Sequence, residues 1–200
     1  MTKEGQDQGV KGPREAGWTF RAEGKGSRFI LPSLLLLALI FFAVPWPGIL
    51  YGLQVAHLPK GRILLTLPFV LRHSFSISYT HSIYLAPVEE KFEVQETQIH
   101  LREISTNSWG VVEYYGLPGL AGQNRGEIRM EGLHSRMDHI TMIIGFTGKQ
   151  KLNWENRTYS LYSLIGPGEK IKIESTPLSP GRYFWEKVKL FSSSSGDDLR

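Results

Sequence analysis

One twelve-residue stretch gathers a base, a hydroxyl and two carboxylates. It reads Tyr79-Thr80-His81-Ser82-Ile83-Tyr84-Leu85-Ala86-Pro87-Val88-Glu89-Glu90. A carboxylate beside an imidazole orients the ring and raises its pKa, as general acid–base pairs require. A serine nucleophile needs more, a strained elbow or an oriented base, and no such signature surrounds Ser82. The same residue types also do plain structural service. A His-Ser pair at a strand end hydrogen-bonds nearby backbone and fixes the shape of a loop. Recognition of a ligand or a partner is the third use. The candidate binding residues are therefore Tyr79, His81, Ser82, Pro87, Glu89 and Glu90, with no catalytic assignment.

Other chemistry is thin. His134, Asp138 and His139 are metal-ligand types, but their spacing matches no pattern such as His-Glu-x-x-His. With no cysteine in the chain, disulfides, zinc thiolates, a thiol nucleophile and a lipid-modified N-terminal cysteine are excluded. No glycine loop is built to cradle phosphate. Asn156-Arg157-Thr158 is a glycosylation sequon only in a eukaryotic secretory pathway. No metal or cofactor is expected.

The elements that position these residues have a period of two. Phe75, Ile77 and Tyr79 alternate with Ser74, Ser76, Ser78 and Thr80. Phe92 and Val94, Ile99 and Leu101, Ile128 and Met130, and Ile171 and Ile173 alternate in the same way with polar neighbours. Each run can turn one face to a core and the other to water. Turn signals between them include Gly116-Leu117-Pro118-Gly119, Gly122-Gln123-Asn124, Gly166-Pro167-Gly168 and Ser179-Pro180-Gly181. The pattern predicts an all-β domain, an antiparallel sandwich or small barrel of about eight to ten strands. Any helix in it is expected to be short, the best candidate being a turn near Leu133–His139. Alternation along the second signature strand puts Glu90 on the face of Phe92 and Val94, so Glu90 needs a partner. His81 is the predicted one, with Glu89 free in water.

From Phe29 to Leu53 no residue is charged, and Leu, Ile and Phe dominate. About 20 apolar residues are needed to cross a bilayer. The run is longer than a signal peptide's core, and its exit, Val44-Pro45-Trp46-Pro47-Gly48, offers no small-x-small cleavage site. One N-terminal transmembrane helix, an uncleaved anchor, is the expectation. Arg14, Arg21, Lys25 and Arg28 precede it, which predicts a cytoplasmic N-terminus and an extracytoplasmic C-terminal domain in the cell membrane. The predicted plan is a disordered cytoplasmic tail over 1–28, the anchor over 29–53, the β domain over 54–191 and a disordered C-terminus over 192–200. The formal charge of +4 does not imply nucleic acid. Residues beyond 28 hold 17 Lys/Arg against 15 Asp/Glu, mixed along the chain rather than gathered in a stripe.

The signature block resembles a family of small exported bacterial and archaeal proteins that carry a domain of unknown function. Its hallmark is an aromatic residue, Thr-His-Ser-Val/Ile, four residues, then Pro-Val-Glu-Glu and a strand with an aromatic. This chain has Tyr79-Thr80-His81-Ser82-Ile83, then Pro87-Val88-Glu89-Glu90 and Phe92. The resemblance runs from about Gln54 to Glu174. A second family feature, a turn ending in Gly-Leu-Pro, maps to Gly116-Leu117-Pro118, but here Tyr114 and Tyr115 stand where small residues are usual. The family's members are often encoded beside TRAP-type transporters of the TAXI class, which pair an extracytoplasmic solute-binding protein with a membrane permease. The resemblance therefore implies a membrane-anchored accessory protein of such an uptake system, docking on the permease or its solute-binding protein. The alternative is an independent module that binds or senses a small solute or an envelope component. An enzyme is not expected.

Overall fold

The computed structural model describes residues 27–44, 48–116, 120–124 and 126–194. Residues 1–26 of the predicted tail, 45–47 of the predicted anchor, 117–119 of the predicted turn and 195–200 of the predicted C-terminus lie outside the described residues. The chain divides into two compact units at Leu37/Ala38, inside helix α1 (Ser27–Ala43). That helix is apolar on all sides, and its side chains from Ile30 onward are exposed. Among the described residues, no helix is long and apolar enough to cross a membrane. The segment 29–53 is thus not one element. Ser27 and Arg28, placed in the tail, begin α1, and Leu50–Leu53 belong to a strand.

That strand, β1 (Leu50–His57), shows no alternation of apolar and polar residues before Gln54 because it is buried on both faces. Its core face gives Leu53 and Val55. On the other face, a Cβ on Gly52 would stand 2.9 Å from the side chains of both Leu178 and Thr66, so any larger residue there would have to displace them. β1 pairs antiparallel with β2 (Arg62–Val70) and with β12 (Lys170–Pro177), and β12 pairs with β9 (His139–Ile143). A single 3₁₀ turn, Leu58–Lys60, links β1 to β2. This gives a four-stranded sheet in the order β2-β1-β12-β9.

The second sheet carries the signature. β3 (Arg72–Thr80), β4 (Pro87–Gln95) and β5 (Gln98–Thr106) form its centre. β10 (Lys151–Trp154) and β11 (Arg157–Ser160) extend it on one side. β6 (Leu120–Asn124), β7 (Glu127–Glu131) and β8 (Ser135–Met137) extend it on the other. All pairings are antiparallel, and neither sheet closes into a barrel. The alternating residues read from the sequence enter the core as expected. Phe75, Ile77, Phe92, Val94, Ile99, Leu101, Met130, Ile171 and Ile173 join one apolar cluster with residues of the small sheet. Aromatic rings cross between the sheets, with Phe69 of β2 6.0 Å from Trp154 of β10, while Phe75 stacks on Phe92 at 5.1 Å.

Several expectations need correction, among them that any helix would be short, since α4 (Pro180–Ser194) has 15 residues. Twelve strands are present among the described residues, not eight to ten. Leu133–His139 is not a helical turn, because Ser135–Met137 pairs with β5 as β8 and His139 opens β9. Gly122-Gln123-Asn124 is not a turn either, since all three residues lie in β6. Helices appear elsewhere: α2 (Trp109–Tyr115), α3 (Leu161–Ile165) and α4 (Pro180–Ser194). The predicted turn at Ser179-Pro180-Gly181 is the start of α4. Ser179 Oγ accepts from the N–H of Arg182, and Pro180 takes the first helical position, where its missing N–H costs nothing. α4 also claims 192–194 from the predicted disordered end.

Candidate functional site

The signature block is the β3–β4 connection. β3 ends at Thr80, β4 begins at Pro87, and His81–Ala86 form the loop between them. The loop is pinned on itself. His81 N–H donates to the Ala86 carbonyl (2.8 Å) and Leu85 N–H donates to the His81 carbonyl (2.8 Å). The buried His81 ring completes it, with Nδ1 accepting from the N–H groups of Ile83 (3.3 Å) and Tyr84 (3.4 Å). Tyr84 tilts against the His81 ring at 5.2 Å, and Tyr114 of α2 meets it edge-on at 4.9 Å. The imidazole is thus the inner support of the loop.

Glu90 lies where alternation predicted, between Val88 and Phe92 on the core side, with Ile77 and Ile104 as cross-strand neighbours. Its partner is not His81. Tyr79 Oη donates to Glu90 Oε1 at 2.9 Å, and Tyr115 Oη donates to the same oxygen. The two tyrosine hydroxyls also meet each other. The predicted His81–Glu90 bridge fails because β3 carries Tyr79 past Glu90, while the His81 acceptor is taken by its own loop. Burial pushes the Glu90 carboxyl above its usual range, against the opposing pull of the two hydroxyls. Burial also raises the hydroxyls of Tyr79 and Tyr115, reinforced by the Glu90 charge.

Glu89 points to the opposite face and is not free in water, since Ser76 Oγ donates to its Oε1 at 2.6 Å. Asn153 Nδ2 donates to Ser76 Oγ (3.0 Å) and to Ser78 Oγ (3.3 Å), and Thr158 Oγ1 donates to Asn153 Oδ1 (3.0 Å). A directed chain of donors therefore runs across β11, β10 and β3 to the carboxylate on β4. The outer face around it is a furrow. One hollow of about 670 Å³ is lined by Ser78, Pro87, Glu89, Ser105 and Asn153, and a second of about 780 Å³ by Ser74, Ser76, Glu89, Lys91 and Asn153. Among its charges, Lys91 pairs with Glu103 at 2.9 Å and Arg102 with Glu93 at 3.4 Å.

The loop tip is the reverse in character. Ile83 and Leu85 are each 68% exposed, and Tyr84, Trp109 and Tyr114 beside them are exposed as well. Tyr84 packs over Gly110, where an added Cβ would come within 2.5 Å of its ring. Leu85 sits at φ 52°, in the left-handed region that glycine adopts freely. Ser82 is exposed on the same loop, and Pro87 is exposed at the mouth of the furrow.

The six predicted residues thus divide three ways. Tyr79 and Glu90 meet in the core, His81 and Ser82 shape or crown the loop, and Pro87 and Glu89 line the furrow. Sequence reasoning missed Tyr115 and Asn153 as partners. The paired tyrosines at 114 and 115 were a visible signal; nothing local marked Asn153. Among the described residues, no group of three His, Asp or Glu side chains is placed to hold a metal ion. No curated protein and no solved structure matches the chain. Residues 75–161, from the middle of β3 to the first residue of α3, match a family described as a domain of unknown function (DUF1850).

Proposed function

We propose that the chain is a membrane-anchored, extracytoplasmic accessory protein of a TRAP-type, TAXI-class solute uptake system, and that it docks on the permease or its solute-binding protein through the loop tip. The observation that carries this reading is the apolar tip built on the signature itself. Ile83 and Leu85 stand exposed on a loop whose inner bonds hold them there, beside Trp109 and Tyr114. Exposed leucine in a left-handed conformation serves neither burial nor backbone comfort, and strain of this kind gathers at functional surfaces. Aromatic residues ringed around aliphatic ones are the usual composition of an interface centre. The resemblance supplies the partner class, and the uncharged apolar run that begins at Phe29 is what supports a membrane attachment.

Site-specific photo-crosslinking tests the docking. A photoreactive residue at position 83 should crosslink the co-expressed permease or its solute-binding protein, while one at Thr158, on the far edge of the large sheet, should not. Equal crosslinking from both positions, or none from position 83, rejects the tip as the contact.

The furrow favours a second reading, a module that binds a small polar solute. The chain Thr158–Asn153–Ser76–Glu89 leaves a carboxylate at the junction of the two hollows, where ligand hydroxyl or ammonium donors would find an acceptor. Titration calorimetry with the solute carried by the neighbouring transporter decides it. Binding that disappears in Glu89→Gln favours this reading, and no heat at millimolar solute removes it.

A further inference from the structure

We infer that α4 lies on the membrane surface, with the face turned away from its own domain seated among the lipid headgroups of an anionic bilayer. Most surface helices put apolar side chains inward and polar ones outward. α4 carries apolar side chains on both sides. Tyr183 and Leu190 turn inward, and Leu190 packs against the apolar core. Phe184, Val188 and Phe191, spaced four and three apart, form a second stripe that is open to solvent, with Trp185 at its edge. Phe191 is 82% exposed.

Three observations say what covers this stripe. The first is its composition: Phe and Trp on one face, with Arg182 and Lys189 in the same helix, is the make-up of an interfacial helix that meets anionic lipid, although Lys189 also pairs with Glu186 at 3.4 Å and Lys187 with Glu155 at 3.9 Å. The second is that Lys189 sits 5.4 Å over the Trp185 ring, so a cation is held at the rim of the stripe. The third is position. The carbonyl oxygen of Phe42, near the end of α1, lies 2.9 Å from where a Cβ would stand on Gly181, in the first turn of α4. Phe41, Phe42 and Val44 are themselves exposed and apolar. The start of α4 therefore lies beside the last residues of α1, where on the anchor reading the chain leaves the bilayer. This inference rests on the anchor reading above.

The natural absence of cysteine makes the test clean. Single cysteines replace Phe184, Val188 or Phe191 in the full chain, with Leu35→Cys as an anchor control and Thr158→Cys as a solvent control. Each is labelled with an environment-sensitive fluorophore and reconstituted into phosphatidylglycerol vesicles. The expected result is quenching by nitroxide-bearing lipid and loss of iodide quenching at 184, 188 and 191, with the reverse at 158. Lipid quenching at 35 with free iodide access at 184, 188 and 191 overturns the α4 assignment and leaves the anchor standing. Lipid quenching on α4 but not at 35 supports α4 and rejects the anchor. Shielding from iodide without lipid quenching means that protein covers the stripe, which also overturns the assignment. Equal shielding in phosphatidylcholine vesicles overturns the choice of anionic headgroups.

Discussion

Tyr79 donates a hydrogen bond to Glu90 from the same core face of the sheet, 2.9 Å away, and Tyr115 reaches the same carboxyl oxygen from α2. This contact ties the signature strands to the helix whose tyrosines border the loop. The carboxyl lies among Ile77, Val88, Phe92 and Ile104, where a charge is poorly solvated. Both hydroxyls donate to that one oxygen and also meet each other, so all three groups depend on one another for their hydrogen bonds.

Stability should therefore fall as pH rises. A carboxyl whose folded pKa is raised binds its proton more tightly in the folded state. Its contribution is complete below the unfolded value and is lost as pH climbs through the folded value. Glu90→Gln, neutral at every pH, should flatten that decline above the ordinary carboxylate range. Glu90→Ala, which strands two hydroxyls, should lower stability by roughly 1–3 kcal/mol. Urea titrations across a pH series measure both, and a wild-type slope that Glu90→Gln leaves unchanged would count against a raised Glu90.

A double-mutant cycle separates the partners of Glu90. Tyr115→Phe combined with Glu90→Gln should show coupling of about 0.5–3 kcal/mol, whereas His81→Ala with Glu90→Gln should add within roughly 0.5 kcal/mol. Substantial His81–Glu90 coupling would contradict the bonding described here.

The strands around this site were legible because each has one wet face. Phe75, Ile77, Phe92 and Val94 alternate with polar residues for that reason, and Glu90 could be placed on the core side from spacing alone. β1 was not legible, since burial on both faces erases alternation and lets Leu50–Leu53 pass as the tail of the apolar run. α4 was hidden because Ser179-Pro180-Gly181 reads as a turn, whereas Ser179 caps the helix and Pro180 opens it. The partner of Glu90 was misjudged because the choice lay between residues close in sequence. Tyr115 is 25 positions away, brought in by α2. Tyr114 and Tyr115, adjacent in α2, are the residues that touch His81 and Glu90.

Leu85→Gly should stabilise the fold while weakening docking. At φ 52° a leucine carries strain of about 1 kcal/mol that glycine lacks, and its exposed side chain contributes little burial. A higher melting temperature together with weaker partner binding is the expected pair of results. A lower melting temperature would mean that Leu85 is there for the fold.

Gly110→Ala should disturb the tip through Tyr84. The new Cβ would stand 2.5 Å from the Tyr84 ring, and overpacking of this kind typically costs about 1–3 kcal/mol. Adding Tyr84→Ala removes the obstacle, so the double variant should recover most of that loss in thermal unfolding. A double variant no more stable than Gly110→Ala alone would place the strain elsewhere.

The most direct measurement is the affinity of the purified full chain for the detergent-solubilised TRAP-type permease and for its solute-binding protein. Wild type should bind one of them. Ile83→Asp/Leu85→Asp should weaken that binding by roughly thirtyfold or more, the effect of losing about 2 kcal/mol at an interface centre. Its circular dichroism spectrum should be unchanged, and Glu89→Gln, in the furrow, should bind as wild type does. Undiminished binding by the doubly charged tip, or loss of binding in Glu89→Gln alone, would contradict the docking account.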